Sequence, residues 1–397
     1  MRRLGFALLL LAAACAPKEP PPPPPEKLDL TPIAFGALAG WSDDDQAAAL
    51  PALQRSCARL LRQSDERPVG PDAVAGTVAD WRAPCGAVQQ ATAQNSTGLD
   101  ARAARALLEN WFEPFRASGR DGPDGLFTGY YEPELQGART RDARFHVPLM
   151  KRPDDLVMVE LGDFRADWRG ERIAGRVVDG ALKPYPDRRA IEQGALASRN
   201  LELFWVEDPI DAFFLQIQGS GRIALPDGKT VRIGYAAQNG HPYVAIGRPL
   251  LERGALERGN VSLRTIRAWL VAHPDEAAGV MDLNPSYVFF REIPGEGPVG
   301  AQGTALTAMR SLAVDPKFMP LGVPLWLDID EPQEAGGRLR RLVIAQDTGG
   351  AIRGAVRGDL FCGTGTVAGE RAGAMQQRGG YVLLLPKAVA EKRKRVS

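Results

Sequence analysis

The run from Ala345 to Gly379 constrains this chain most. An apolar segment, Leu342–Ala345, reads as a buried strand, and Asp347 lies at its end. Gly349 and Gly350 break that strand, a short second strand is predicted at Gly354–Val356, and Asp359 then precedes the apolar pair Leu360–Phe361. A carboxylate at a strand edge, flanked by glycines that place no side chain in the way, leaves room for a polymer to approach. The pattern points first to acid–base chemistry on an extended substrate.

Composition narrows the alternatives. The chain has 397 residues, 44% hydrophobic and 24% charged, enough for two globular domains. Lys and Arg total 49 against 48 Asp and Glu, so the net charge is +1 and there is no electrostatic case for nucleic acid or an anionic membrane surface as the main partner. The basic end, Lys392–Arg395, reads as a solvated tail. The histidines are His146, His241 and His273, and no Cys/His spacing resembles a metal site, so neither a metal nor a Cys–His nucleophile is expected. The Gly363–Gly365 turn lacks the GKS/T of a phosphate loop, and no βαβ-spaced glycine fingerprint occurs, so no cofactor is expected.

The N-terminus reads as a targeting segment. Arg2 and Arg3 supply the charged start, Leu4–Ala14 is apolar but too short to span a bilayer, and Ala12–Ala14 is a small-residue cleavage region before Cys15. A cysteine in that place resembles the lipoprotein signal, in which the thiol is lipidated, although Ala12 holds the position where that signal usually has leucine. Simple secretion is the alternative, and either way the mature protein works outside the cytoplasm. Pro20–Pro25 follow as a polyproline II spacer of about 3 Å per residue. Cys57 and Cys85 lie in neighbouring helical segments, and an oxidising compartment permits a disulfide between them. Cys362 is expected to be buried and unpaired.

Periodicity predicts helices over 42–63, 72–83 and 99–117, then a strand at Leu126–Tyr131 ended by Pro133. Phe213–Gln218 alternates apolar and polar residues like a strand, and Ile223–Leu225 with Thr230–Ile233 reads as a hairpin about Pro226–Gly228. Short helices are predicted near 246–254 and 262–272, and a strand at Tyr287–Phe290. Strands at Leu325–Asp328, Arg341–Ala345 and Tyr381–Leu385, with a helix near 367–378, complete the chain. Short strands joined by glycine-rich turns suggest a closed barrel within a mainly β, α+β fold.

Six blocks, in order, then carry a resemblance: FTGYYEP (127–133), QGSGRI (218–223), YAAQNGHPYVAIGR (235–248), NPSYVFF (284–290), AVDPKFMPLGVPLW (313–326) and QDTGGAIRGAVRGDLF (346–361). Together they resemble the membrane-bound lytic transglycosylase A family. The resemblance implies a double-psi β-barrel catalytic domain with an inserted smaller β-barrel-like domain, and a groove between them for a glycan strand. It divides the chain into a signal segment (1–15), a proline-rich linker (16–27), a catalytic domain built from 28–132 and 284–390, and an inserted domain (133–283).

The activity it implies is that of a peptidoglycan lytic exotransglycosylase. The β-1,4 bond between N-acetylmuramic acid and N-acetylglucosamine is cleaved by the muramoyl C6 hydroxyl, which closes a 1,6-anhydro ring without water. The residues themselves do not distinguish exo- from endo-cleavage. The tethered nucleophile leaves one carboxyl group to act first as acid and then as base, and by family position this is Asp359. Leu360 and Phe361 are expected to desolvate it, Asp347 to support it, and Arg357 to point elsewhere, since a nearby cation would lower the needed pKa.

Asp315 is expected to be structural. Thr128 and Tyr130 match groove positions, with Tyr130 able to stack on a sugar face. Gln218, Gly219 and Ser220 are expected at a strand break facing substrate, and Asn239–His241 reads as a turn. The implied partners are peptidoglycan glycan strands, the outer membrane through a lipid anchor on Cys15, and a wall-remodelling complex, which puts the protein in the periplasm. A water-using glycosidase on the same barrel, or a non-catalytic peptidoglycan-binding scaffold, are the competing readings.

Overall fold

The structure, a computed structural model, describes residues 26–94, 99–295, 297–331 and 336–395. The signal segment, Cys15 and the proline run lie outside the described residues. No helix of the described residues is long and apolar enough to cross a membrane.

Six strands close into a barrel: Gly125–Glu132, Ser311–Val314, Pro324–Asp330, Arg338–Asp347, Arg357–Thr364 and Gln376–Pro386. Its pairing is mixed. Ser311–Val314 runs parallel to Arg338–Asp347, and Arg357–Thr364 runs parallel to Gly125–Glu132, while the remaining seams are antiparallel. Alternation along each strand divides interior from exterior. Phe127, Leu312, Val314 and Leu360 are buried in the barrel core. A Cβ on Gly358 would meet Phe127 and Leu312 at 2.8 and 3.0 Å, so this glycine faces inward and its neighbour Asp359 faces out.

The Pro324–Asp330 strand is buried on both faces through Leu327. Leu325 and Leu327 fill one face, while Trp326 packs edge-on against Trp41, 5.1 Å between rings, beneath the N-terminal helices. Those helices, Leu50–Leu60 and Val78–Gln94, are joined by the Cys57–Cys85 disulfide, both residues fully buried. The bridge closes a loop across 28 residues of sequence. The double variant Cys57→Ser/Cys85→Ser is expected to lose about 3–4 kcal/mol of unfolding free energy, measured by urea denaturation.

A second sheet of six strands runs in the order Val288–Glu292, Thr230–Gln238, Ser220–Ala224, Glu134–Ala138, Glu202–Val206 and Val147–Met150. A bridge between Lys151 and Phe290 brings its two edges together, which gives it the form of a nearly closed barrel. Its core is Leu149, Phe204, Val206, Leu215, Ile223, Ile233 and Phe290. A three-stranded sheet, Val157–Glu160, Arg172–Val178 and Ala181–Pro184, stands beside it.

Several elements differ from the sequence reading. Phe213–Gln218 belongs to a helix, Pro209–Gln218. Asp208 caps it by accepting from Ile210 N–H at 2.7 Å, and Pro209 occupies its first turn. Residues 212–216 are all buried, so the polar alternation carried no information about a solvent face. The helix predicted over 99–117 stops at Trp111, and Phe112–Ser118 is a strand containing Pro114, a residue that a helix interior excludes.

The 42–63 helix starts only at Leu50, after a 3₁₀ turn at Gln46–Ala49 capped by Asp45, and the second helix is shifted to Val78–Gln94. The short strand placed at Gly354–Val356 is loop, with the strand beginning at Arg357. The 367–378 helix is Gly365–Ala374, and Gln376 already belongs to the last barrel strand. Finally, Val288–Glu292 pairs with Thr230–Gln238 in the second sheet, not with the barrel, although it lies within the 284–390 segment that the resemblance gives to the catalytic domain.

Candidate active site

Four barrel strands build the site on the outer wall. Ala313, in Ser311–Val314, pairs with Asp347 on one side and Asp359 on the other. The two aspartates therefore stand two strands apart, about 10 Å between backbones on a flat sheet and less on a curved wall. Asp359 pairs in turn with Thr128. On each strand the residue two further along points the same way, which adds Tyr130 and Phe361 to the face. Tyr130, Leu306, Ala313, Ile352 and Phe361 form a small apolar cluster separate from the barrel core. This cluster is the dry floor on which both carboxyl groups rest.

Each carboxyl is held differently. Asp347 Oδ1 accepts from the backbone N–H of Ala301 and Thr348 at 2.8 and 2.9 Å, and Oδ2 accepts from the Tyr130 hydroxyl at 2.8 Å. Burial raises the Asp347 pKa, against the pull of these three donors. Asp359 Oδ1 accepts from Thr128 Oγ1 at 2.8 Å, and Oδ2 has no hydrogen bond among the described residues. Asp359 keeps a solvent-accessible edge, yet desolvation by the surrounding heavy atoms outweighs the other influences. Its pKa is pushed up to about 6, with Arg357 and the Thr128 hydrogen bond opposing and Asp347 assisting. A carboxyl poised there holds its proton in mildly acidic solution and can take it back, as a group that is acid and base in turn requires.

The other expected residues fall as follows. Phe361 lies on the Asp359 face of the strand, but Leu360 points into the barrel core, on the opposite face. Arg357 does not point away: its Nη2 donates to Thr128 Oγ1 at 2.9 Å, and its charge acts on Asp359. The two sit at alternate positions of one strand, so they share a face. Tyr130 is buried with its ring against Phe361, 5.3 Å between centroids, and its hydroxyl is engaged by Asp347. That ring is occupied rather than open to a sugar.

Gln218, Gly219 and Ser220 mark a helix-to-strand turn, not a break within a strand. Gly219 ends the helix in the left-handed conformation (φ 76°), which favours glycine. Gln218 Oε1 accepts from Tyr131 N–H at 3.0 Å, tying this turn of the second sheet's domain to the barrel strand that carries Thr128 and Tyr130. Asp315 is almost fully buried. Its oxygens accept from Lys317 N–H at 3.1 Å and Gly354 N–H at 2.8 Å, pinning the loop between Asp347 and Asp359. Asn239–His241 is a turn fixed by Asn239 to Pro186, Pro285 and Tyr287. Cys362 is buried and unpaired, its thiol pushed up to about 12 by burial.

The sequence reading missed Tyr243. It lies in the second sheet's domain, against Gly350, and the Asp359 charge adds to burial in raising its phenol pKa. It stands inside the YAAQNGHPYVAIGR block, and only that resemblance could have pointed to it. Among the described residues no group of three or more His, Cys, Asp or Glu could hold a metal ion.

Comparison with known proteins agrees with this geometry. The family described as MltA specific insert domain matches residues 126–291, and the 3D domain matches 310–385. A membrane-bound lytic murein transglycosylase A of Vibrio cholerae is 33% identical over 255 residues, 62% of this chain; the match spans 62% of that protein's length. The crystal structure of a membrane-bound lytic murein transglycosylase from Agrobacterium tumefaciens superposes with a TM-score of 0.78 at 36% identity, covering 91% of this chain and 99% of that one. Escherichia coli MltA with bound chitohexaose matches with a TM-score of 0.64 at 26% identity, over 90% of this chain and 94% of that one. The closed six-stranded barrel, the second sheet and these matches show that the chain belongs to the membrane-bound lytic murein transglycosylase A family.

Proposed function

We propose that the protein is a peptidoglycan lytic transglycosylase in which Asp359 is the single acid/base. The protonated carboxyl donates to the glycosidic oxygen between N-acetylmuramic acid and N-acetylglucosamine, and the C1–O bond breaks with its electron pair on the departing oxygen. The muramoyl C6 hydroxyl attacks C1 and returns a proton to the Asp359 carboxylate. A 1,6-anhydro ring forms, the proton count balances, and neither water nor a cofactor enters. The chitohexaose bound by the E. coli relative supports a β-1,4 glycan as the occupant of the groove.

One observation carries the choice between this chemistry and hydrolysis. A hydrolase needs a second carboxylate with an open oxygen to activate water or attack the sugar. Both oxygens of Asp347 and both of Asp315 accept hydrogen bonds from the protein, whereas Asp359 Oδ2 accepts none among the described residues. Thr128, Gln218, Gly219, Ser220 and Tyr243 are proposed to border the glycan, and Asp347, Tyr130 and Asp315 to hold the site's shape. The family's membrane-bound members and the N-terminal segment support attachment to the outer membrane through Cys15, with the catalytic body in the periplasm and within reach of a wall-remodelling complex.

The test is mass spectrometry of products from purified peptidoglycan across pH. Anhydro products, lighter by one water than the reducing ends a hydrolase leaves, are expected. Because the acid form of Asp359 starts the reaction and its pKa is about 6, kcat/KM is expected to fall above pH 6, approaching tenfold per pH unit. Reducing muramic acid ends as the main product would refute the proposal.

A further inference from the structure

Arg357 and Asp359 share a face of one strand. Across the seam, Leu126 is paired with Arg357 and Thr128 with Asp359. The Arg357 guanidinium bonds the carbonyls of Leu126, at 3.2 Å, and of Gly358, so it is fixed by main-chain acceptors on both strands it bridges. Its third hydrogen bond among the described residues goes to Thr128 Oγ1, at 2.9 Å. A guanidinium has donors and no acceptor, so the threonine oxygen must accept there. The threonine hydroxyl has one hydrogen, and Asp359 Oδ1 lies 2.8 Å away. The direction of the chain is thereby set: Arg357 donates to Thr128, and Thr128 donates to Asp359.

We propose that Arg357 and Thr128 form a one-way hydrogen-bond relay that holds Asp359 Oδ1 as an acceptor and makes Oδ2 the oxygen that carries the catalytic proton. This rests on the reading of Asp359 as acid/base and goes beyond it by naming the oxygen and the groups that select it. Both are positioning residues. A carboxyl able to rotate would present its proton in either of two directions; one oxygen held by a directed donor presents it in one. The relay also moderates proton affinity. The Arg357 charge and the Thr128 hydrogen bond both favour the carboxylate, against the burial that favours the acid. Without them the carboxyl would hold its proton more firmly and be a weaker acid toward the leaving oxygen, with the high-pH limb displaced upward.

The experiment compares pH profiles of kcat/KM for anhydro product release from purified peptidoglycan by the wild type, Thr128→Val, Thr128→Ser and Arg357→Met, each checked for native Tm. Removing either donor is expected to move the high-pH limb up by about one pH unit, with kcat reduced more than KM is changed. Thr128→Ser, which keeps the hydroxyl, is expected to keep the wild-type midpoint. Should Thr128→Val misfold, Arg357→Met and a carbon-13 titration of the Asp359 carboxyl decide the question alone. A wild-type midpoint in folded Thr128→Val or Arg357→Met overturns the relay, as does a Thr128→Ser limb displaced as far as that of the valine variant. Those outcomes leave the acid/base reading intact; it fails separately, if Asp359→Asn goes on releasing anhydro products.

Discussion

Asp359→Asn is expected to lower the rate of anhydro product release by about 10²–10⁴-fold while making the folded protein more stable at neutral pH. The first effect follows from removing the proton that the leaving oxygen needs. The second follows from linkage. The Asp359 carboxyl is raised to about 6 in the native state by desolvation, against about 3.9 in an unfolded chain. Above pH 6 the native state carries that charge at a cost that the unfolded state does not bear. Two pH units correspond to about 3 kcal/mol, an upper limit because the carboxyl keeps a solvent-accessible edge.

Asparagine removes the charge, and its Oδ1 can still accept from Thr128. The variant's Tm should therefore exceed that of the wild type at pH 7.5. The difference should shrink as pH falls through 6 and vanish below about 4, where both forms are neutral. Thermal unfolding at three pH values, with product assays on the same samples, checks both halves. A variant that is inactive and less stable at pH 7.5 would point to a structural role for this carboxyl instead.

What could be read from sequence was local. The apolar runs at Leu325–Leu327 and Leu342–Ala345 announced buried strands because they are buried on nearly every side, and the hairpin of Ile223–Leu225 with Thr230–Ile233 announced itself through Pro226–Gly228. Asp347 and Asp359 stood out because glycines flank them. Barrel closure was not legible in any one segment. It depends on the Gly125–Glu132 strand pairing with two strands more than 200 residues later, and only the family resemblance supplied that topology.

Side-chain direction was the larger loss. Ala313, an unremarkable residue, separates the two aspartates, and the strand that Pro114 should have signalled was read as helix. Arg357 was expected to turn away because a cation opposes a raised carboxyl pKa. Strand alternation puts it on the Asp359 face, and burial overcomes its charge rather than its position avoiding the conflict. Tyr130 shows the same limit from the other side. An aromatic residue in a glycan-binding motif suggested a sugar platform, while its hydroxyl is engaged in holding Asp347.

The same barrel wall depends on a buried ion pair with the N-terminal layer, and breaking it gives the second large expected effect. Arg310 immediately precedes the Ser311–Val314 strand that carries Ala313, and it is nearly fully buried. Asp44 grips it bidentately, with both N···O distances 2.8 Å, and also accepts from Leu342 N–H at 2.9 Å. Arg310 further bonds the carbonyls of Leu342 and Asp45, at 3.0 and 2.8 Å, so one ion pair joins the N-terminal layer to two barrel strands. Arg341 is close enough that the Arg310 charge adds to burial in lowering its pKa, while Asp44 raises it.

Asp44 is thus the anion facing two largely desolvated guanidiniums. Asp44→Ala leaves Arg310 and the Leu342 backbone N–H without that acceptor, and removes an anion whose charge acts on Arg341. Removing one partner of a buried pair costs about 3–5 kcal/mol, a large part of the roughly 5–15 kcal/mol that stabilises an ordinary domain. Urea denaturation should show a lowered midpoint with an unchanged slope. The double variant Asp44→Leu/Arg310→Met, which removes the charges together, should recover part of the loss, because desolvation offsets much of what the intact pair contributes. A single variant that loses less than about 1 kcal/mol, the range of exposed pairs, would mean that solvent reaches this contact and that the N-terminal layer is held by its apolar packing alone.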